Sequence, residues 1–205
     1  MALRLEINPF GPQPRKIEAA LEVLREDGVI LFPTGTTYVF GCSIHSKKAM
    51  SRIYLLKEID KKKPLTFVCS NASQIEAYTR GIPTPLFRRM KSHLPGPYCF
   101  ILEASKLVPK VFQCPKSTIG VKMPENLICQ ALVTAMGEPI LTSSVPLAEG
   151  ETMLEGGLLF DQWRNQVDCV IDGGEIYITQ SAVIDCTGPE PFILREGDAD
   201  LSWLE

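Results

Sequence analysis

Apolar and polar positions alternate along this chain in short blocks. The clearest block is Val29-Ile30-Leu31-Phe32, broken by Pro33-Thr34-Gly35-Thr36-Thr37 and resumed by Tyr38-Val39-Phe40-Gly41-Cys42. Such a pattern predicts two strands joined by a hydroxyl-rich turn. Upstream, Ile17, Ala20, Leu21 and Leu24 fall on one helical stripe, while Arg15, Lys16, Glu18 and Glu22 lie elsewhere. That spacing predicts an amphipathic helix, with Gly28 in the place of a C-terminal glycine cap. Leu3 to Ile7 alternates with period two and reads as an edge strand.

Beyond Cys42, Ser46 is placed to cap a helix whose buried face carries Ala49, Met50, Ile53 and Leu56. Pro64 to Cys69 reads as a buried strand. Asn71 with Gln74 forms a capping-box start for a short helix through Tyr78. A further helix is expected from Pro83 or Thr84 to about Lys91, then the turn Leu94-Pro95-Gly96-Pro97. Tyr98 to Leu102 and Thr118 to Met123 read as strands, and Asn126 caps a helix that Gly137 stops. Ile140-Leu141 leads into what reads as a second hydroxyl-rich turn, Thr142-Ser143-Ser144-Val145-Pro146, able to face the first. Leu158 to Val167 is predicted helical, followed by strands at Val167 to Ile171, Ser181 to Asp185 and Pro191 to Leu194. Strands alternating with helices and ending as a strand cluster predict an α/β protein with a mixed sheet.

Composition narrows the class. At 205 residues, 45% hydrophobic and 22% charged, the chain has the make-up of one globular domain, 1–205, and no apolar stretch approaches a membrane span. The N-terminus lacks the features of a signal peptide, so a cytoplasmic protein is expected. Seven cysteines without a C-x-x-C pair, and only two histidines, His45 and His93, argue against a disulfide framework or a zinc site and for buried reduced thiols. A net charge of −3 excludes nucleic-acid binding driven by the overall charge, so any anion site is a local patch.

No G-x-S-x-G elbow, G-x-x-x-x-G-K-[ST] loop, G-x-G-x-x-G fingerprint or metal-spaced histidine pair is present. What remains is hydroxyls and cations: Thr34, Thr36 and Thr37, then Lys57 with Lys61 to Lys63, then Ser143 and Ser144, then Arg195. Hydroxyls and backbone N–H groups donate directional bonds and Lys or Arg balances charge, so the set suits a phosphate or carboxylate. The lysine run also reads as a solvated helix end, favourable near a helix C-terminus.

Pro33-Thr34, Tyr38 near Gly41, Lys57, Pro64-Leu65, Pro95-Gly96-Pro97, Thr118-Ile119-Gly120-Val121 with Pro124, Ser144, Ser181 to Asp185 and Leu194-Arg195-Glu196-Gly197 follow in an order that resembles the YrdC/YciO family, the fold of threonylcarbamoyl-AMP synthases. Gly137-Glu138-Pro139 and Arg195-Glu196-Gly197 place it nearest the YciO branch. The resemblance covers nearly the whole chain. It implies a single YrdC-like domain, an open twisted mixed sheet flanked by helices with a basic concave groove. It further implies ATP as substrate with Mg²⁺, L-threonine and bicarbonate as partners, and double-stranded RNA or tRNA along the groove. By the same resemblance, Lys57 and Ser144 take catalytic positions, and Thr34, Lys57, Lys63, Lys122, Ser144, Ser181 and Arg195 bind the ligands.

The departures are as specific as the matches. The K-G-R signature of the synthases reads Lys57-Glu58-Ile59 here, the asparagine before Pro-Leu is Lys63, and the S-x-N pair reads Ser144-Val145-Pro146. The later-strand arginine is Lys122, the threonine after Pro-Gly-Pro is Cys99, and the acidic residue after Pro-Thr is Gly35. A charge-assisted hydrogen bond is worth roughly 1.5–3 kcal/mol, so each lost arginine corresponds to about ten- to a hundred-fold in binding. The resemblance therefore supports two readings: a nucleotidyltransferase of the synthase type, or a non-catalytic nucleotide- or RNA-binding module that kept the groove, extended by Arg88, Arg89 and Lys91. A site retuned to another small anion is a third.

Overall fold

Period-two alternation along the strands settles the layering of this fold. The computed structural model describes residues 1–60, 63–109 and 117–204. In chain order the elements are β1 (Leu3–Glu6), α1 (Pro14–Arg25), β2 (Ile30–Pro33), β3 (Tyr38–Ser43), α2 (Lys47–Lys57), β4 (Thr66–Val68), α3 (Ala72–Tyr78), β5 (Thr79–Arg80), α4 (Thr84–Ser92), β6 (Tyr98–Ala104) and β7 (Thr118–Lys122). They continue as α5 (Leu127–Met136), β8 (Ile140–Ser144), β9 (Met153–Glu155), α6 (Gly156–Trp163), β10 (Cys169–Asp172), β11 (Glu175–Tyr177), β12 (Ala182–Asp185) and β13 (Phe192–Arg195).

Among the described residues, one mixed sheet runs in the order β1-β10-β2-β3-β8-β4-β7-β6-β12-β13, with β5 added beside β6, and β9 and β11 form a separate two-stranded antiparallel sheet. One set of alternating side chains, including Tyr38, Phe40, Phe67, Phe100, Val121, Leu141 and Ile184, packs under α2, α3, α4 and α6 through residues such as Ile53, Ile75, Met90 and Trp163. The opposite set, Ile30, Phe32, Val39, Val68, Ile140, Cys169 and Ile171, is covered by α1 and α5 through Leu21, Leu24, Ile128 and Leu132. Four helices cover one face, and two cover only part of the other. On the uncovered part the alternating positions turn polar, and there the cleft described below opens.

The local signals act as their chemistry predicts. Ser46 Oγ accepts from the Ala49 amide at 3.0 Å, Asn71 Oδ1 from the Gln74 amide at 2.8 Å, and Asn126 Oδ1 from the Cys129 amide at 3.0 Å, each closing a helix N-terminus. Gly28 departs from expectation. The left-handed residue that ends α1 is Asp27, at φ 60°, and Gly28 follows it, its amide donating to the Val23 carbonyl at 2.9 Å. Glycine is needed there for room, because a Cβ would lie 2.6 Å from that carbonyl oxygen.

Two other expectations are corrected. Thr142-Ser143-Ser144 is not a turn but the end of β8, with Gly41 opposite Thr142 and Val39 opposite Ser144. The helix expected over Leu158 to Val167 begins two residues earlier and ends at Trp163. No helix of the described residues is long and apolar enough to cross a membrane.

Candidate anion-binding cleft

The uncovered part of the sheet forms the floor of a cleft of about 420 Å³. Val39, Thr66, Val68, Cys99, Lys122 and Val183 rise from successive strands, and the 34–37 loop with Pro124 and Glu125 forms one rim. The sheet supplies rigidity, and the loops supply donors.

One end is a bonded trio. Lys122 Nζ donates to Ser181 Oγ at 3.1 Å, and Arg195 Nε donates to the Ser181 carbonyl at 3.0 Å. Burial lowers the Lys122 pKa and the neighbouring Arg195 lowers it further, against the opposing pull of Cys99. A β-bulge aims Arg195. Ile184 pairs with Ile193, but Val183 pairs with Arg195 rather than Leu194. Residues opposite each other in an antiparallel pair share a face, so Leu194 is the extra residue, and Arg195 shares the cleft face of Val183.

At the other end Lys57, the last residue of α2 and not itself among the lining residues, reaches Ser144 on β8. Its ammonium donates to the Ser144 carbonyl at 2.5 Å and lies 3.3 Å from the Ser144 hydroxyl. Burial lowers its pKa, and Lys63 adds to the shift. Lys63 itself is not among the lining residues; its carbonyl accepts from the Tyr54 hydroxyl at 2.8 Å. Lys61 and Lys62 lie outside the described residues. Arg88, Arg89 and Lys91 line no part of this cleft, and Arg89 donates to the Trp203 carbonyl at 3.1 Å, so the groove is not extended through α4 here.

The hydroxyl loop is ordered from within. Thr34, buried, donates from Oγ1 to the Thr37 carbonyl at 2.7 Å, so its proton is already used. Thr37 Oγ1 is buried with no hydrogen-bond partner among the described residues. Such an orphan hydroxyl beside a cleft is an unspent polar group. Thr142, Ser143, Pro64, Gly96 and Pro97 complete the lining. In the sequence Thr66 was legible only as part of a buried strand and Thr142 as part of a hydroxyl-rich turn, and Glu125 carried no signal.

The cleft has no machinery for thiol catalysis among the described residues. His45 pairs with Glu138 and His93 stacks on Trp203, both away from the cleft lining. Burial pushes the Cys42 thiol up to about 12, and burial also raises Cys99 despite Lys122, Arg195 and a hydrogen bond from Thr66. No three His, Cys, Asp or Glu side chains among the described residues group to hold a metal, and Glu125 is the one carboxylate of the lining. The residues present do not fit a protein-held magnesium ion. Any magnesium here would ride on the oxygens of a bound phosphate.

A family profile described as Sua5_yciO_yrdC, telomere recombination, matches residues 22–197. The chain belongs to the Sua5/YciO/YrdC family. It is 38% identical over 197 residues to the uncharacterized protein YciO of Escherichia coli K12, covering 95% of each chain. The crystal structure of E. coli YciO superposes with a TM-score of 0.91 at 36% identity, covering both chains fully. A threonylcarbamoyl-AMP synthase of Pyrococcus abyssi is 30% identical over 191 residues, of which this chain spans 56% of the length. The structure of P. abyssi Sua5 complexed with L-threonine matches with a TM-score of 0.82 at 27% identity, covering 96% of this chain and 57% of that one.

Ile59, where the synthase signature has arginine, packs against the core beneath the sheet, so no cation stands at that position. Glu58, in the glycine position of that signature, ends α2 in the left-handed conformation at φ 51°. Gly35 packs its backbone against Glu125, where a Cβ would come to 3.2 Å from the Glu125 carbonyl oxygen.

Proposed function

We propose that this protein binds a nucleoside triphosphate together with a small amino-acid carboxylate of the L-threonine type, and joins them as a threonylcarbamoyl-AMP synthase does. The observation that carries this reading is the Lys122–Ser181–Arg195 trio at one end of a cleft whose other end holds the Lys57–Ser144 contact. From β8 to β12 is four strand steps, about 19 Å at roughly 4.8 Å each. That span exceeds a lone phosphate and matches a nucleotide beside a second small ligand. The threonine complex of P. abyssi Sua5 supports the amino-acid half of the reading.

In the reaction so proposed, the threonine amine and bicarbonate form a carbamate and release water. A carbamate oxygen then attacks the α-phosphorus of ATP, the new O–P bond forms as the bond to the β-phosphate oxygen breaks, and pyrophosphate leaves. No acid or base side chain is required; the barrier falls through alignment and charge stabilisation. Lys122 and Arg195 face the phosphates, and Lys57 holds Ser144. The Thr37 hydroxyl is free for the amino acid. With Ile59 and Lys122 at positions of the synthase arginines, turnover is slow relative to a synthase that keeps both.

The test is pyrophosphate release by purified protein given ATP, magnesium, threonine and bicarbonate. Threonine- and bicarbonate-dependent release that a Lys122→Met variant loses supports the reading. Release no greater than that of the variant overturns it.

A further inference from the structure

Ser181 carries both halves of the cation wall, since its hydroxyl accepts from Lys122 and its carbonyl from Arg195. What fixes Ser181 therefore fixes the wall. On its far side, the Ala182 amide donates to the Pro97 carbonyl at 2.9 Å. On its near side, both backbone groups of Gln180 go to one residue. The Gln180 amide donates to Asp198 Oδ2 at 2.5 Å, and the Asp198 amide donates to the Gln180 carbonyl at 2.8 Å.

The intervening residue makes this closure possible. Gly197 sits at φ 62°, and a Cβ on it would collide with the Gln180 carbonyl oxygen and come within 2.6 Å of the Ala182 amide nitrogen. Residues 197 and 198 thus lie directly on the backbone of 180–182. They follow Arg195 by two and three positions, so one staple joins the two segments that present Ser181 and Arg195. Neither Gly197 nor Asp198 is among the residues that line the cleft.

We propose that Asp198 is a positioning residue that sets the Ser181 hydroxyl and the Arg195 guanidinium for the phosphates of the nucleotide. The proposal rests on the functional reading above for its ligand, and on the free protein for its geometry. Removing the carboxylate leaves the Gln180 amide without its acceptor. The 180–181 segment then loosens between Thr179, whose amide donates to the Thr36 carbonyl at 3.0 Å, and Ala182. Ser181 and its two cation bonds move with it.

Three variants, Asp198→Ala, Asp198→Asn and Arg195→Ala, and the double variant Asp198→Ala/Arg195→Ala decide the matter through two readouts. The first is the Arg195 Nε–H resonance of the ligand-free protein. It is expected to shift and exchange faster in Asp198→Ala and to return in Asp198→Asn, whose amide oxygen still accepts. An unchanged resonance in Asp198→Ala overturns the proposal, including where the melting temperature falls. The second is ATP titration by calorimetry. Asp198→Ala is expected to weaken binding about five-fold, the worth of one ordinary hydrogen bond, and to have almost no effect once Arg195 is alanine. An equal loss in both backgrounds overturns action through Arg195. Wild-type protein that binds no ATP defeats the functional reading, while the resonance still decides the role of Asp198.

Discussion

The Lys122 ammonium reaches the Ser181 hydroxyl across an intervening strand, since β6 lies between β7 and β12, and the bond closes at 3.1 Å. Both ends are required for that bridge to face a phosphate. Lys122→Met is expected to weaken ATP binding about ten- to a hundred-fold, the cost of a lost charge-assisted bond. The Lys122 pKa is lowered by burial, so its charge disappears below the ordinary lysine range of about 10.4. Nucleotide affinity is therefore expected to fall as the pH rises through that lowered value. In Lys122→Arg the fall should vanish, and calorimetry at a series of alkaline pH values reads both.

The two loop threonines are expected to separate stability from binding. Thr34→Val removes a donor to the Thr37 carbonyl and should cost about 1 kcal/mol in denaturant unfolding. Thr37→Val deletes a buried hydroxyl that has no partner, so stability should hold or rise while threonine affinity falls about five-fold. Loss of stability in both with no change in affinity would remove Thr37 from the binding site.

Glu58 holds a left-handed conformation that costs an L-residue roughly 1–2 kcal/mol. Glycine relieves it at the expense of about 0.5–1 kcal/mol of unfolded-state entropy. Glu58→Gly is accordingly expected to stabilise the protein by about 0.5–1 kcal/mol, read as a higher urea midpoint with unchanged slope.

Alkaline pH should unfold the protein through its interior. Burial pushes the thiols of Cys42, Cys69, Cys129, Cys169 and Cys186 up to about 12. Above the ordinary thiol pKa of about 8.5 the unfolded chain releases protons that the folded chain keeps, so stability falls as pH rises from there toward 12. Lys57 and Lys122, with lowered values, act in the opposite sense just below the ordinary lysine range, but with Cys99 also raised two groups face six. The thermal midpoint is expected to drop steadily above about pH 8.5. A Cys→Ala or Cys→Val series should flatten that drop one residue at a time.

The sequence made visible what is decided within a few residues. Ser46, Asn71 and Asn126 announce their helices because a cap is a bond to an amide three positions on. Lys57, Ser144 and Arg195 stood out among the hydroxyls and cations and Ser181 through resemblance, and the fold brings Ser144, Ser181 and Arg195 to the cleft lining and Lys57 to Ser144. What was hidden depends on pairing. Thr142-Ser143-Ser144 has the composition of a turn, yet it is a strand because β3 and β4 flank it, and its polar side faces the cleft. The two- and three-residue strands β5, β9 and β11 owe their existence to their partners. Thr34 and Thr37 are equivalent on paper, and only the closed loop shows which hydroxyl is spent. Asp198 gave no sign at all, because its contact with Gln180 arises once β13 folds back along β12.

The bulge in β13 has a consequence for chain length. In a regular strand, losing one residue turns every later side chain to the opposite face. The bulge at 193–194 is the exception, since Ile193 and Arg195 already oppose adjacent residues of β12. A chain lacking Leu194 is expected to pair without interruption and to keep its arginine over the cleft, with nucleotide affinity within about two-fold of the original. Deletion of Ile193 closes the same bulge, with Leu194 taking its place opposite Ile184 and the arginine still opposite Val183, and is expected to preserve binding likewise. Loss of one residue at 193 or 194 is thus a change that homologues of differing length could carry while retaining the same charge in the same place.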